Sequence, residues 1–130
     1  MQQFANQNRV FCNDNGLLTN TAFLISEDYD GYLENIVFIE MKRRGLETYF
    51  HHGKKECDFV VKEGQNICQA IEVCSTMQDE STKKRELDGL LEALEAYGLH
   101  EGTILTEDEE FELVTESRRI TVLPVWKWIF

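Results

Sequence analysis

The stretch from Glu56 to Cys74, ECDFVVKEGQNICQAIEVC, limits what this chain can fold into more than any other. It holds two β-rich runs, Cys57–Lys62 and Ile67–Cys74, joined across Glu63-Gly64-Gln65-Asn66. A glycine-containing connection of this length between β-branched runs is a hairpin signal. A hairpin centred near Gly64 and Gln65 sets Asp58 roughly opposite Glu72. Period-2 alternation predicts Glu56, Asp58 and Val60 on one face, with Ala70, Glu72 and Cys74 on one face of the partner strand. Phe59, Val61, Ile71 and Val73 fall on the other face. Two carboxylates thus converge on one side of a sheet, an arrangement suited to a divalent metal.

The flanking sequence supplies the rest of an α/β domain. Residues 1–30 are the least informative, with a short strand and a helical turn expected around an Asn/Asp/Gly turn at Asn13–Gly16. Ser26 to Gly31 reads as an acidic turn. A helix is expected over Tyr32–Arg44, with Leu33, Ile36, Val37, Glu40 and Met41 on one stripe and Gly45 as its stop. Glu47–His52 is a strand candidate, and the basic loop His51-His52-Gly53-Lys54-Lys55 leads into the hairpin. Beyond a polar loop, Leu87, Leu90, Leu91, Leu94 and Tyr97 mark a second helix between an Asp79 or Ser81 N-cap and Gly98. Thr103–Thr106 reads as a strand parallel to an earlier one, because a helix crosses between them. Phe111–Thr115 and Arg119–Val125 add two more around Glu116-Ser117, and Pro124 marks where the chain leaves the sheet. Trp126, Trp128, Ile129 and Phe130 form an apolar patch expected to pack on the domain. The order predicts a mixed sheet flanked by helices.

Composition narrows the function classes. A chain of 130 residues with 42% hydrophobic content and eight Phe is long and apolar enough to bury one core. No apolar run has the length of a membrane span, and MQQFANQNRV lacks a signal peptide's hydrophobic segment, so a cytoplasmic location without membrane association is expected. Cys12, Cys57, Cys68 and Cys74 form no CxxC pair and are expected as reduced thiols on or near strands. Adjacent His51 and His52 lack the spacing of zinc ligands. A net charge of −11 opposes nucleic-acid binding through the overall field. Such binding must use local clusters: Lys42-Arg43-Arg44, Lys54-Lys55, Lys83-Lys84-Arg85 or Arg118-Arg119. The alternative is that these are ordinary solvated faces. No GxxxxGK[ST] phosphate loop occurs, so ATPase activity is not encoded here.

Two helix carboxylates demand explanation as well. Glu34 sits at the edge of the first helix's apolar stripe and Glu40 nearer its centre. A carboxylate there costs free energy unless paired or metal-bound. For Glu34 a metal ligand and a structural role stay equally open; for Glu40 the favoured reading is a structural ion pair. Glu34, Asp58 and Glu72 together could hold a magnesium ion, which takes oxygen ligands and is usually bound by one or two carboxylates.

These residues carry a family resemblance. The segments LENIVFIEMKRRG (Leu33 to Gly45), ECDFVVKEGQ (Glu56 to Gln65) and AIEVCST (Ala70 to Thr76) resemble the PD-(D/E)XK nuclease superfamily in layout. The chain is similar to archaeal Holliday junction resolvases. It resembles still more closely the C-terminal nuclease-like domain of a group of prokaryotic AAA-type ATPases, where RVFCNDNGLL (Arg9 to Leu18), SEDYDGYLENIVFIEMKRRG (Ser26 to Gly45), the helix around Arg85–Leu94 and PVWKW (Pro124 to Trp128) have counterparts. The resemblance implies a restriction-endonuclease-like fold over residues 31–130, with 1–30 as the tail of a preceding region. It implies Glu34, Asp58 and Glu72 as catalytic ligands for Mg²⁺ or Mn²⁺ in DNA phosphodiester hydrolysis. The superfamily's lysine falls at Cys74, a departure from the pattern. Losing one positioned electrostatic group of that kind costs on the order of 10²–10³ in rate. Either Lys55, Lys83 or Lys84 supplies the missing cation, or the domain is catalytically degenerate and serves an ATPase as a DNA- or protein-interaction module.

Overall fold

A computed structural model describes residues 29–130. The expected strand and turn near Asn13–Gly16, and Cys12, lie outside the described residues. Helix α1 (Tyr29–Arg43) is followed by strands β1 (Glu47–His52), β2 (Glu56–Glu63) and β3 (Asn66–Val73). Helix α2 (Glu80–Tyr97) then leads to β4 (Glu101–Thr106), β5 (Phe111–Thr115), β6 (Arg118–Pro124) and the short helix α3 (Val125–Ile129). The six strands form one sheet in the order β1-β2-β3-β4-β6-β5. Strands β3, β4 and β6 run parallel, while β1, β2 and β5 add antiparallel pairs at the two sides. The domain is therefore α/β, with a mixed sheet flanked by helices.

Each face of the sheet carries its own core. Phe59, Val61, Ile71, Val73 and Leu105 pack with Leu33, Val37, Phe38 and Met41 of α1 and Val125 of α3. On the other face, Val60, Ala70, Ile104, Ile120 and Val122 pack against Leu90, Ala93 and Leu94 of α2. Helix α2 starts where the Asp79 carboxylate accepts the Thr82 N–H at 2.9 Å, and ends at Gly98, whose φ is 69°. The hairpin turns on two residues, Gly64 and Gln65, between the paired Glu63 and Asn66. Gly64 has φ 65°, as the first loop position of a type II′ turn requires.

Three expectations need correction. Tyr29–Gly31, read as part of a turn, are helical. Gly31 weakens that helical turn, but Asp30 suits the positive end of the helix and its Oδ1 accepts the Ser75 N–H at 2.8 Å. The C-terminal patch splits: Trp128 and Ile129 pack on the core, whereas Trp126 is 58% and Phe130 98% exposed. A helical turn can direct only Val125, Trp128 and Ile129 inward, which sends Trp126 and Phe130 out. Finally, strict alternation fails in β2, as described below. Glu40 behaves as the ion-pair reading requires. Arg43 Nη2 lies 2.6 Å and Arg44 Nε 2.7 Å from its Oε2. Arg43 first and Arg44 second hold its pKa down at about 2. Arg44 also donates to the Trp128 and Ile129 carbonyls and stacks on the Trp128 ring at 4.4 Å, tying α1 to α3.

The β5–β6 hairpin has a local conflict. Its two loop residues, Glu116 and Ser117, have φ 52° and 65°, a type I′ geometry that favours Asn-Gly. Replacing them by Asn-Gly should raise the unfolding free energy by roughly 1 kcal/mol in denaturant melts. A lower stability would show that the loop does not hold this geometry.

Candidate metal centre

The site begins with a fault in the ladder between β1 and β2. From Tyr49↔Val60 to His51↔Cys57 the pairing advances two residues on β1 but three on β2. The extra residue is a bulge on β2, and bulges re-aim side chains. Cys57 consequently joins the same core as Val60, although the two are three positions apart and strict alternation would put them on opposite faces. Asp58 is turned the same way, toward α2. Asp58 keeps its expected face by alternation from Val60, and the residue that the bulge re-aims is Cys57.

Asp58 and Glu72 then complete each other's backbone. The Asp58 N–H donates to Glu72 Oε1 at 3.1 Å, and the Val73 N–H donates to Asp58 Oδ2 at 2.9 Å. Both side chains are 2% exposed. Glu86 of α2 closes the group: one carboxylate oxygen from each of Asp58, Glu72 and Glu86 lies within 4.8 Å of the others. Burial, then the neighbouring Cys57, Asp58 and Glu86, push the Glu72 carboxyl well above its ordinary pKa. Burial, then Asp58, raise Glu86 to about 7, against the opposing pull of Arg85. Arg85 Nη2 lies 3.4 Å from Glu86 Oε2.

These acids form the floor of a cleft of about 270 Å³ whose rim carries Lys54, Lys55 and Arg85. Lys55 is thus brought to the carboxylates. Lys83 and Lys84 are not: they border a different groove with Thr115 and Glu116, and Lys84 pairs with Asp88 at 3.0 Å. Glu34 is buried on α1, in the layer on the opposite face of the sheet, and is not one of the three clustered carboxylates. Cys74 is buried, with its thiol 3.5 Å from Met77 Sδ and from the Thr76 carbonyl. Burial first, and then Glu86, raise that thiol's pKa, so it stays protonated and neutral.

Sequence reasoning missed Glu86, and it named Arg85 only within the basic cluster Lys83-Lys84-Arg85. Glu86 stands four and seven residues before Leu90 and Ala93, so it heads the buried stripe of α2. A second signal was Gly89, an isolated glycine within a helix. A Cβ there would lie 2.1 Å from the Glu56 carbonyl oxygen and 2.7 Å from Glu72 Oε2. Gly89 is what lets α2 approach closely enough to deliver Glu86.

No family model and no solved structure matches the chain. Uncharacterized protein MJ1544 of Methanocaldococcus jannaschii is 32% identical over 120 residues, covering 84% of this chain and 26% of that protein. The chain spans about a quarter of that relative's length. Among the described residues, no helix is long and apolar enough to cross a membrane.

Gly89→Ala gains helix propensity but drives a methyl group into the Glu56 carbonyl and Glu72. It should lose about 1–3 kcal/mol of stability in chemical denaturation. A net gain would contradict the close approach.

Proposed function

We propose that this domain is a PD-(D/E)XK-type nuclease that hydrolyses DNA phosphodiester bonds with Mg²⁺ or Mn²⁺. The observation that carries the reading is the convergence of Asp58, Glu72 and Glu86 beneath a cationic rim. The resemblance of the Asp58 and Glu72 segments to that superfamily supports it. The free thiols at Cys57, Cys68 and Cys74 fit the cytoplasmic, reducing setting proposed for it.

The donor set fits a hard divalent cation. Three carboxylates supply oxygen only, and burial first and mutual repulsion second, which raise the Glu72 and Glu86 pKa values, favour a partner of opposite charge. Asp58, Glu72 and Glu86 would hold it; Glu34, which the resemblance implies as a ligand, lies in the α1 layer on the opposite face of the sheet and is outside this set. When bound, the ion supplies Lewis acidity toward a phosphoryl oxygen and lowers the pKa of water. Lys54, Lys55 and Arg85 bind and orient the substrate phosphate above the acids. Lys55, together with Arg85, takes over the electrostatic work of the lysine replaced by Cys74. Without the ion, Glu86, with its pKa near 7, can hold a proton at the cleft floor near neutral pH, and it would give up that proton on binding the cation.

A second reading rests on Cys74. A buried neutral thiol stands where the superfamily has its ammonium, which fits a degenerate domain that binds DNA or protein partners for an AAA-type ATPase. The 26% coverage of a longer relative suits a domain that works beside others.

Cleavage of duplex, single-stranded and branched DNA, with and without Mg²⁺ or Mn²⁺, separates the two. The informative controls are Asp58→Asn and Glu72→Gln, because each keeps an acceptor for the backbone N–H it serves. Alanine would leave that N–H buried and unsatisfied, at a cost of about 1–3 kcal/mol. Metal-dependent cutting that falls at least about 100-fold in both variants supports the nuclease. Wild-type protein that binds DNA without cutting it under any metal supports the degenerate module instead.

A further inference from the structure

The lysines on the rim belong to a turn seated on a carboxylate outside the metal centre. Glu92 lies on α2, six residues beyond Glu86. Its Oε1 accepts the Lys55 N–H at 3.0 Å, and the nearby Lys54 backbone also favours its ionised form. The turn closes on itself through Gly53 N–H to the Lys55 carbonyl at 3.0 Å. A Cβ on Gly53 would sit 2.0 Å from Glu92 Oε2, so a larger residue there would displace this carboxylate from the turn.

Glu92 is itself held. Its Oε2 lies 3.0 Å from Nε2 of the buried His51, whose Nδ1 lies 2.9 Å from the Tyr97 hydroxyl. With Nε2–H donating to Glu92, a neutral His51 leaves Nδ1 to accept the tyrosine proton. The Tyr97 ring meets the imidazole edge-on at 5.3 Å. Burial opposes ionisation of Glu92, but His51 and the turn amides outweigh it and keep the carboxyl below its ordinary pKa. Lys54 and Lys55 form no ion pair among the described residues, in contrast to Lys84, Arg85 and Lys127. Their charge is therefore not spent on a protein carboxylate.

We infer that Glu92, braced by His51 and Tyr97, is a positioning residue that fixes the Gly53–Lys55 turn so that Lys54 and Lys55 meet a phosphate bound over Asp58, Glu72 and Glu86. The inference rests on the nuclease-site reading and extends it: helix α2 supplies Glu86 to the floor and, through Glu92, sets the rim. A freed turn would keep both lysines but spread their ammonium groups over many positions.

The test is a double-mutant cycle on binding of a fluorescein-labelled duplex oligonucleotide, with Ca²⁺ as the divalent ion. Glu92→Gln should weaken binding about tenfold in the wild-type background and add almost nothing to a Lys54→Ala/Lys55→Ala variant, the signature of action through those lysines. The Lys54 and Lys55 amide resonances should shift in Glu92→Gln, while Mn²⁺ affinity by calorimetry stays at the wild-type value. Losses that simply add, or a Glu92→Gln protein that binds DNA as wild type does, would overturn the inference alone. Wild-type protein that takes up no Mn²⁺ would overturn the carboxylate-site reading and this inference with it.

Discussion

The reciprocal pair of bonds between Asp58 and Glu72 is the constraint on which the rest of the structure depends. Each side chain accepts a backbone N–H that the ladder does not satisfy, one from Asp58 itself and one from Val73. The bulge in β2 takes that strand out of step with β1 beside Asp58. Buried N–H groups must find acceptors, and here the acceptors are two acids that a core otherwise excludes. The hydrogen bonding of the sheet and the chemistry of the site are thus carried by the same atoms.

Clustering a third acid with that pair is unfavourable without a compensating charge or proton, as the raised Glu72 and Glu86 carboxyls record. The chain nonetheless brings α2 in at Gly89, giving up helix propensity to do so. Local preference and tertiary position disagree at the bulge, at Gly89 and at the carboxylate cluster. These three lie in or beside one cleft, whereas the conflict at Glu116-Ser117 lies away from it. Sequences violate their own local rules most often where a site is built, and that coincidence favours a functional reading over a solvated acidic patch.

Much of the fold was legible because it follows period and punctuation. The hairpin, the parallel strand after α2, the Asp79 and Gly98 caps and the exit at Pro124 all follow from residue spacing and turn chemistry. The Asp58–Glu72 pairing was legible for the same reason, because a two-residue turn fixes the register. Glu86 was not, since its place beside the strands depends on how closely a helix packs, and the helix stripe was drawn through four leucines and Tyr97. Glu34 and Glu86 show the limit in opposite directions. Both sit on buried stripes, and only the packing of α1 and α2 on opposite faces of the sheet decides which one joins Asp58. The lysines divide likewise: Lys55 reaches the cleft through its turn, while Lys83 and Lys84 point elsewhere along α2.

The central claim is that Asp58, Glu72 and Glu86 form one divalent-cation site. Isothermal titration of Mn²⁺ into wild-type protein and into Glu86→Gln tests it most directly. The account predicts a single site per chain, weakened by at least about tenfold in the variant, because a carboxylate ligand is replaced by a neutral amide. Wild-type protein that binds no Mn²⁺, or a Glu86→Gln variant that binds it equally well, would contradict it.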